Sequence, residues 1–254
     1  MGKLDREVET GLAIARGAGE IALRHFRRGI GFEDKADDSP VTVADRESER
    51  YIARALEEAF PDDGLLGEEG SDKPSQSGRR WIIDPIDGTR DFVRGSLPWA
   101  VLLGLEADGE VVAGFSYLPA LGEMFHASRG GGAYRNGDRI RVSPIGEPAR
   151  AVVCVNGLNG LTRYGFAPRL LDWLKPFWGV RSMGGCLDAM LVAQGQAELW
   201  IEPTGKPWDF APLKIIAEEA GGRFFDFQGR NTIYGGNCVI VNPALEEEAR
   251  RFVS

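Results

Sequence analysis

The sequence predicts a mixed fold, α+β in its first part and α/β in its second. Three observations carry this expectation. Two stretches near the start place apolar residues at three- and four-residue steps. A middle stretch shows short apolar runs separated by hairpin-forming turns. Beyond Pro144 and Pro148, short strands alternate with short helices.

The elements follow in order. Val8, Leu12, Ala15, Ala18, Ala22 and Phe26 form one stripe, which predicts a helix over 5–27. A polar loop over 34–39 closes at Pro40. A second helix is predicted over 43–60, with Tyr51, Ile52, Ala55, Leu56, Ala59 and Phe60 as its apolar stripe. Thr42 and Asp45 have capping-box spacing at its start, and Pro61-Asp62-Asp63-Gly64 ends it. Trp81-Ile82-Ile83 reads as a strand. Runs over 101–105 and 111–115 flank the turn Ala107-Asp108-Gly109, and strands over 124–127 and 132–134 continue the meander toward Asn136-Gly137. In the second part, strands are predicted over 152–155, 199–201, 224–227 and 239–241, and helices over 168–173, 187–193, 210–220 and 244–252. The change of texture near Pro144 divides the chain into 1–145, an α+β lobe, and 146–254, an α/β lobe, in one compact unit. The segment 70–80 is low in complexity and expected to be mobile.

Composition narrows the function classes. Hydrophobic residues make up 43% and charged residues 27%, enough apolar material for a core and too much for a disordered chain. The net charge of −8 argues against nucleic acid or an anionic membrane as partner. No apolar run approaches the ~20 residues of a spanning helix. The first residues lack the apolar stretch of a secretion signal, so a cytoplasmic location is expected. Cys154, Cys186 and Cys238 are odd in number and far apart, which fits buried thiols in a reducing compartment. Two histidines, His25 and His126, argue against a multi-histidine zinc site.

The chemistry concentrates in acids. Asp84 ends an apolar strand, Pro85 holds it extended, and Asp87 follows before Gly88 and Thr89. Two acids on such a constrained turn can point into one pocket. A turn with Asp87 capping a helix is the simpler alternative, but it leaves the apolar approach to Asp84 unexplained. Glu68 and Glu69 follow the apolar Leu65-Leu66, and Asp209 lies between Trp208 and Phe210 at a helix start. A solvated loop and an N-cap would account for these singly. Together, converging acids repel by several kcal/mol at an effective dielectric of about 20, so such a cluster wants divalent cations. The donors are hard oxygens, which favours Mg2+ or Mn2+ over Zn2+. Gly88 and Thr89 open a helix and offer an anion site. Cations beside an anion site point to phosphoryl chemistry.

WIIDPIDGTRDF, LLGEEG and PWDFAPLKIIAEEAGG resemble the three motifs of the inositol monophosphatase-like phosphatases, and the likeness extends to VTVADRESE near the start. FPDDGLLGEEG, DFVRGSLPWAVLLGLE and DSPVTVADRE look most similar to the histidinol-phosphatase branch. The resemblance implies a layered αβαβα sandwich, Mg2+-dependent hydrolysis of a phosphate monoester with two or three cations per site, and a homodimer. It implies that Glu68, Asp84 and the carbonyl of Ile86 hold a first metal, that Asp84, Asp87 and Asp209 hold a second, and that Glu68 helps a third through water. Thr89, oriented by Asp45, would position the attacking water, and Gly88 and Thr89 would take the phosphate. Asp45 therefore has two compatible roles, as cap partner of Thr42 and as partner of Thr89. Lys35 matches a loop lysine near the metals, or is a solvated charge. Arg181, Gly184, Gly185, Cys186 and Glu202 match the alcohol-contacting region. Gly185 and Cys186 depart from the Thr, Ser or acidic residues found there in many relatives, which leaves the alcohol open between histidinol phosphate, inositol monophosphate and a sugar bisphosphate or phosphonucleotide. Cys186 reads as packing.

Two competitors differ in kind. Asp-x-Asp-Gly-Thr marks the haloacid-dehalogenase-like phosphatases, but Asp84 and Asp87 are one residue too far apart to place that nucleophile. A silent binding module on the same fold would be expected to have lost a metal ligand, and Glu68, Asp84, Asp87 and Asp209 are all present.

Overall fold

The structure, a computed structural model, describes residues 4–26, 31–34 and 40–254. Most of the predicted polar loop, and Lys35 with it, lies outside the described residues. The chain opens with helix α1 (Asp5–His25), the short strands β1 (Glu33–Asp34) and β2 (Pro40–Val41), and helix α2 (Val43–Ala59). The α2 cap forms as its spacing predicts. Thr42 Oγ1 accepts from the Ala44 and Asp45 N–H groups, and Asp45 Oδ2 accepts the Thr42 N–H at 2.8 Å.

Eight strands then build one sheet. They are β3 (Gly64–Gly67), β4 (Asp72–Lys73), β5 (Arg79–Asp87), β6 (Ala100–Ala107), β7 (Glu110–Leu118), β8 (Glu123–Ser128), β9 (Gly132–Arg135) and β10 (Asp138–Ile140), with helix α3 (Thr89–Arg94) between β5 and β6. Their order is β10-β9-β8-β7-β6-β5-β3-β4; β3 and β5 run parallel and the other pairs antiparallel. Both faces are covered. Trp81, Ile83, Leu103 and Phe115 pack with Ile14, Ala18, Ile52 and Leu56 of α1 and α2, while Ile82 and Leu102 pack on the opposite side. A strand buried on both faces reads as an unbroken apolar run, which is why Trp81-Ile82-Ile83 shows no alternation.

The second sheet has the order β12-β11-β13-β15-β14, from β11 (Val152–Val155), β12 (Gly179–Arg181), β13 (Leu199–Glu202), β14 (Arg223–Phe225) and β15 (Cys238–Val241). Between the sheets lie α6 (Gly185–Ala193) and α7 (Pro207–Glu219); α4 (Leu158–Leu161), α5 (Leu170–Leu174) and α8 (Glu246–Val253) cover the outer face. The result is the layered α-β-α-β-α sandwich. Residues 210–217 of α7 are all buried, as expected of a helix covered on two sides. Gly104 and Gly114 let α7 approach the sheet. A Cβ at Gly104 would lie 2.7 Å from Ala211 Cβ, and one at Gly114 2.5 Å from Ile215 Cγ2.

Three expectations need correction. The helix predicted over 168–173 is a 3-10 turn, Ala167–Arg169, leading into α5. The strand predicted over 224–227 stops at Phe225, because Asp226 Oδ1 accepts the N–H groups of Gln228 and Arg230 and turns the chain. The segment 70–80 is fastened rather than mobile. It contains β4, the Gln76 and Ser77 N–H groups bond Asp62 O at 2.8 and 3.0 Å, and Ser77 Oγ bonds Asp63 at 2.7 Å. These ties use backbone and hydroxyl groups, which leave no apolar signature. Cys154, Cys186 and Cys238 are buried and unpaired. Among the described residues no helix is long and apolar enough to cross a membrane.

Candidate active site

In a regular strand, residues three apart face opposite sides. Asp84 and Asp87 escape this rule through a bulge. Asp84 stands opposite Leu102 and Asp87 opposite Ala100, so β5 spends one residue more than β6 between the two pairs. The extra residue, at Pro85-Ile86, brings Asp87 round to the side of Asp84. Pro85 has no N–H to lose from the ladder. The Ile86 N–H donates to Asp84 Oδ1 at 3.0 Å and fixes the carboxylate.

Asp209 joins them from the first turn of α7, where the Lys206 N–H donates to its Oδ2 at 2.7 Å. One carboxylate oxygen each from Asp84, Asp87 and Asp209 lie within 4.8 Å of one another. Glu68 follows β3, parallel to β5, and its N–H donates to Ile83 O at 3.1 Å. Its charge acts on all three acids. Burial, reinforced by Glu68, Asp87 and Asp209, holds the Asp84 carboxyl well above the usual range. Burial also raises Asp87, against the pull of the Cys186 thiol and N–H. Asp209 is pushed up to about 7 by burial and then by Asp87. Buried acids crowded in this way keep a proton unless a cation neutralises them. The donor set is carboxylate and carbonyl oxygen, so a hard divalent cation fits it.

Gly88 precedes α3 at φ +82°, a conformation that suits glycine, and a Cβ there would come 3.1 Å from Pro98 O. The next residue, Thr89, sets its Oγ1 3.1 Å from Ile86 O and 3.3 Å from Asp45 Oδ1. Asp45 Oδ2 meanwhile accepts from the Thr42 hydroxyl at 2.5 Å. Both geometries anticipated for Asp45 coexist, one on each oxygen. Burial raises the Asp45 carboxyl, and the bonds from Thr42 oppose it.

The other wall is the start of α6. Gly184 precedes it at φ +127°, and the Cys186 N–H reaches Asp87 Oδ2 at 3.3 Å, so this helix end abuts the carboxylates. A Cβ on Gly185 would lie 3.5 Å from Asp87 Oδ2. Glu202, at the end of β13, is pushed up to about 8 by burial and further by Asp87 and Asp209, and accepts the Thr204 N–H at 3.4 Å. Its carboxyl thus feels the cluster from the opposite wall. Burial and Asp87 push the Cys186 thiol up, which suits a packing residue and not a nucleophile. Arg181 is exposed and donates to the Val180 carbonyl at 2.9 Å; no described contact joins it to the carboxylates.

Sequence reasoning missed three supporting side chains. Asp188, fully buried on α6, accepts the Met183 and Gly184 N–H groups at 3.0 and 3.3 Å. Asn156, with its amide turned to satisfy its neighbours, donates to Asp188 Oδ2 at 2.8 Å and accepts the Gly185 N–H at 2.7 Å. Glu49, buried on α2, accepts the N–H groups of Glu69 and Ser71. The available signal for Asp188 and Glu49 was an acid on a helix face that is otherwise apolar or buried.

The sequence profile of the inositol monophosphatase family matches residues 3–253. A protein named histidinol-phosphatase from Chlorobaculum parvum is 41% identical over 242 residues, covering 94% of this chain and 93% of that protein. A histidinol-phosphatase of Mycobacterium tuberculosis is 37% identical over 93% of this chain and 94% of its own. The solved IMPase of Thermotoga maritima superposes with a TM-score of 0.88 at 32% identity, covering 97% of this chain and 96% of that one. Fold, acidic cluster and sequence agree along the whole length, and the chain therefore belongs to the inositol monophosphatase family and is a phosphoric monoester hydrolase.

Proposed function

We propose that this protein is a Mg2+-dependent histidinol-phosphate phosphatase. The observation that carries the metal half is the convergence of Asp84, Asp87 and Asp209 within 4.8 Å, with Asp209 held at about 7. Glu68, Asp84 and the carbonyl of Ile86 would hold a first Mg2+, Asp84, Asp87 and Asp209 a second, and Glu68 a third through water; Mn2+ suits the same donors. Bound there, the cations supply activation of a water and neutralisation of charge on the leaving oxygen.

The chain's own groups do the rest. The single proton of the Thr89 hydroxyl lies between Ile86 O and Asp45 Oδ1, which leaves an oxygen lone pair to accept from the attacking water and aim it. The N–H groups of Gly88 and Thr89 take the phosphate. Asp87, Arg181, Gly184, Gly185, Cys186, Glu202 and Asp209 border the alcohol. Glu202, whose charged form is favoured by bound cations and by the ammonium itself against its burial, pairs the ammonium group of histidinol phosphate, and the identity of 41% to a protein named histidinol-phosphatase supports that substrate. The reading includes a cytoplasmic homodimer. A second reading, an inositol-1-monophosphatase or related sugar (bis)phosphatase, is favoured by the TM-score of 0.88 to the Thermotoga IMPase.

Phosphate release from histidinol phosphate, inositol 1-phosphate and fructose 1,6-bisphosphate, before and after chelation, tests both halves. Histidinol phosphate should be hydrolysed fastest, EDTA should abolish the activity, and Mg2+ should restore it. Full activity after exhaustive chelation would remove the metal, and a preference for inositol 1-phosphate would select the second reading.

A further inference from the structure

Glu49 occupies a position that the reaction chemistry above does not use. It lies on α2 one turn after Asp45 and is 2% exposed. Its carboxylate meets the turn that follows β3. Oε2 accepts the Glu69 N–H at 2.8 Å, and Oε1 accepts the Ser71 N–H at 2.8 Å. Gly67 presses against the same group, since a Cβ there would lie 2.6 Å from Oε1. Glu68 sits between these fixed points, and its own N–H is tied to Ile83 O, next to Asp84.

We infer that Glu49 is a positioning residue for the metal-binding carboxylate of Glu68. The inference rests on the reading that Glu68 ligates Mg2+. A carboxylate offers two acceptors to two N–H donors and satisfies both. An amide offers one acceptor and must turn an NH2 group toward the other donor. An aspartate keeps the charge but is one methylene too short to reach both donors. Glu49 thus holds the backbone that follows Glu68 while Gly67 packs against it on the other side, and α2 serves the site twice, through Asp45 at Thr89 and through Glu49 at Glu68. Partners that orient metal ligands are worth about 10- to 100-fold in metal affinity.

The test compares the metal-free full chain with Glu49→Gln and Glu49→Asp. Mg2+ binding is read by calorimetry and by the upward shift of unfolding temperature, and amide exchange is followed at residues 67–71. Both variants should bind Mg2+ about 10- to 100-fold more weakly, with faster exchange at Glu69 and Ser71 before any metal is added. Histidinol-phosphate turnover should recover at high Mg2+, with the loss in the Mg2+ requirement more than in kcat. Weakening in Glu49→Gln alone would assign the effect to charge and overturn the positioning role. Wild-type affinity in both variants would overturn it with the metal reading intact. No Mg2+ binding by the wild type would remove the metal reading and this inference together. Should one variant fail to fold, amide exchange in the other, before any metal is added, decides: faster exchange at Glu69 and Ser71 supports the positioning role and wild-type exchange overturns it. Rapid exchange at Glu69 and Ser71 in the folded wild type would overturn the clamp by itself.

Discussion

The two ends of β5 carry two groups of buried acids that behave in opposite ways. At its start, Arg79 grips Asp63 with two bonds, Nε to Oδ1 at 3.0 Å and Nη2 to Oδ2 at 2.8 Å, and reaches Glu7 at 2.6 Å. The Ser77 hydroxyl and the Trp81 indole N–H complete the shell of Asp63. Burial pushes the Asp63 carboxyl up, but Arg79, Ser77 and Trp81 outweigh it and hold it below the ordinary range. At its end, burial and the neighbouring acids outweigh the Ile86 N–H at Asp84, and its carboxyl rises. The first cluster is given a cation and further donors by the chain itself, and Asp63 is held ionised there. Among the described residues the leading influences on the second are burial and other acids, and it calls for a cation from outside. Buried acids alone therefore do not mark a site; buried acids that raise one another do.

The largest test of this contrast is Asp84→Asn. It should lower phosphate release by at least about 10³-fold, because the site loses charge that two cations would share. In the metal-free protein the same change should raise the unfolding temperature by a few degrees, since it relieves repulsion. A fall in that temperature would mean that the acids are not in conflict. Thr89→Ala comes next. Steady-state kinetics should show kcat reduced by about 10²- to 10³-fold with KM little changed, the pattern of an interaction made mainly in the transition state. A large KM rise at unchanged kcat would make Thr89 a binding residue.

Glu202→Gln sharpens the contrast on the alcohol side. It should penalise histidinol phosphate by about 10- to 150-fold, the worth of a charge-assisted hydrogen bond, and leave glycerol phosphate within a few-fold. Equal losses on both substrates would take Glu202 out of the ammonium role. The smallest expected effect on catalysis is that of Asp63→Asn. It should leave kcat unchanged and lower stability at neutral pH by about 1–3 kcal/mol, because Arg79 keeps Glu7 but loses its two-bond grip on Asp63. The pH dependence has a definite sign. The folded Asp63 carboxyl lies below its unfolded value, so its contribution is whole above about pH 4 and fades as pH falls through the folded value. Denaturant unfolding of both proteins from pH 7 to pH 2 should therefore show the curves converging in acid. A constant gap would refute the ion-pair account.

Much of the site was legible in residues 81–89 and 207–210. An acid after an apolar strand, a proline that cannot pair, and a Gly-Thr step each leave a local mark. The cap of α2 was legible for the same reason, since Thr42 and Asp45 act on each other across a single turn. Other parts left no such mark. Nothing near Gly70 announces that Asp62 and Asp63 will fasten the following segment. Asn156 and Asp188 meet at the start of α6 only because β11 and α6 come together there, and the clamp of Glu49 on Glu69 and Ser71 spans two elements.

By itself the sequence determined the mixed fold, the order of most elements and the acidic chemistry, because periodicity, capping and turn preference act within a few residues. The tertiary structure alone decided that Asp87 faces the same way as Asp84, through the β5–β6 bulge, and that Asp209 reaches them from α7. It also decided the opposite fates of Asp63, held by Arg79 and Trp81 at the start of β5, and of Asp84 near its end. Register and desolvation are set by neighbours remote in the chain, and a carboxyl group has no fixed charge until those neighbours are in place.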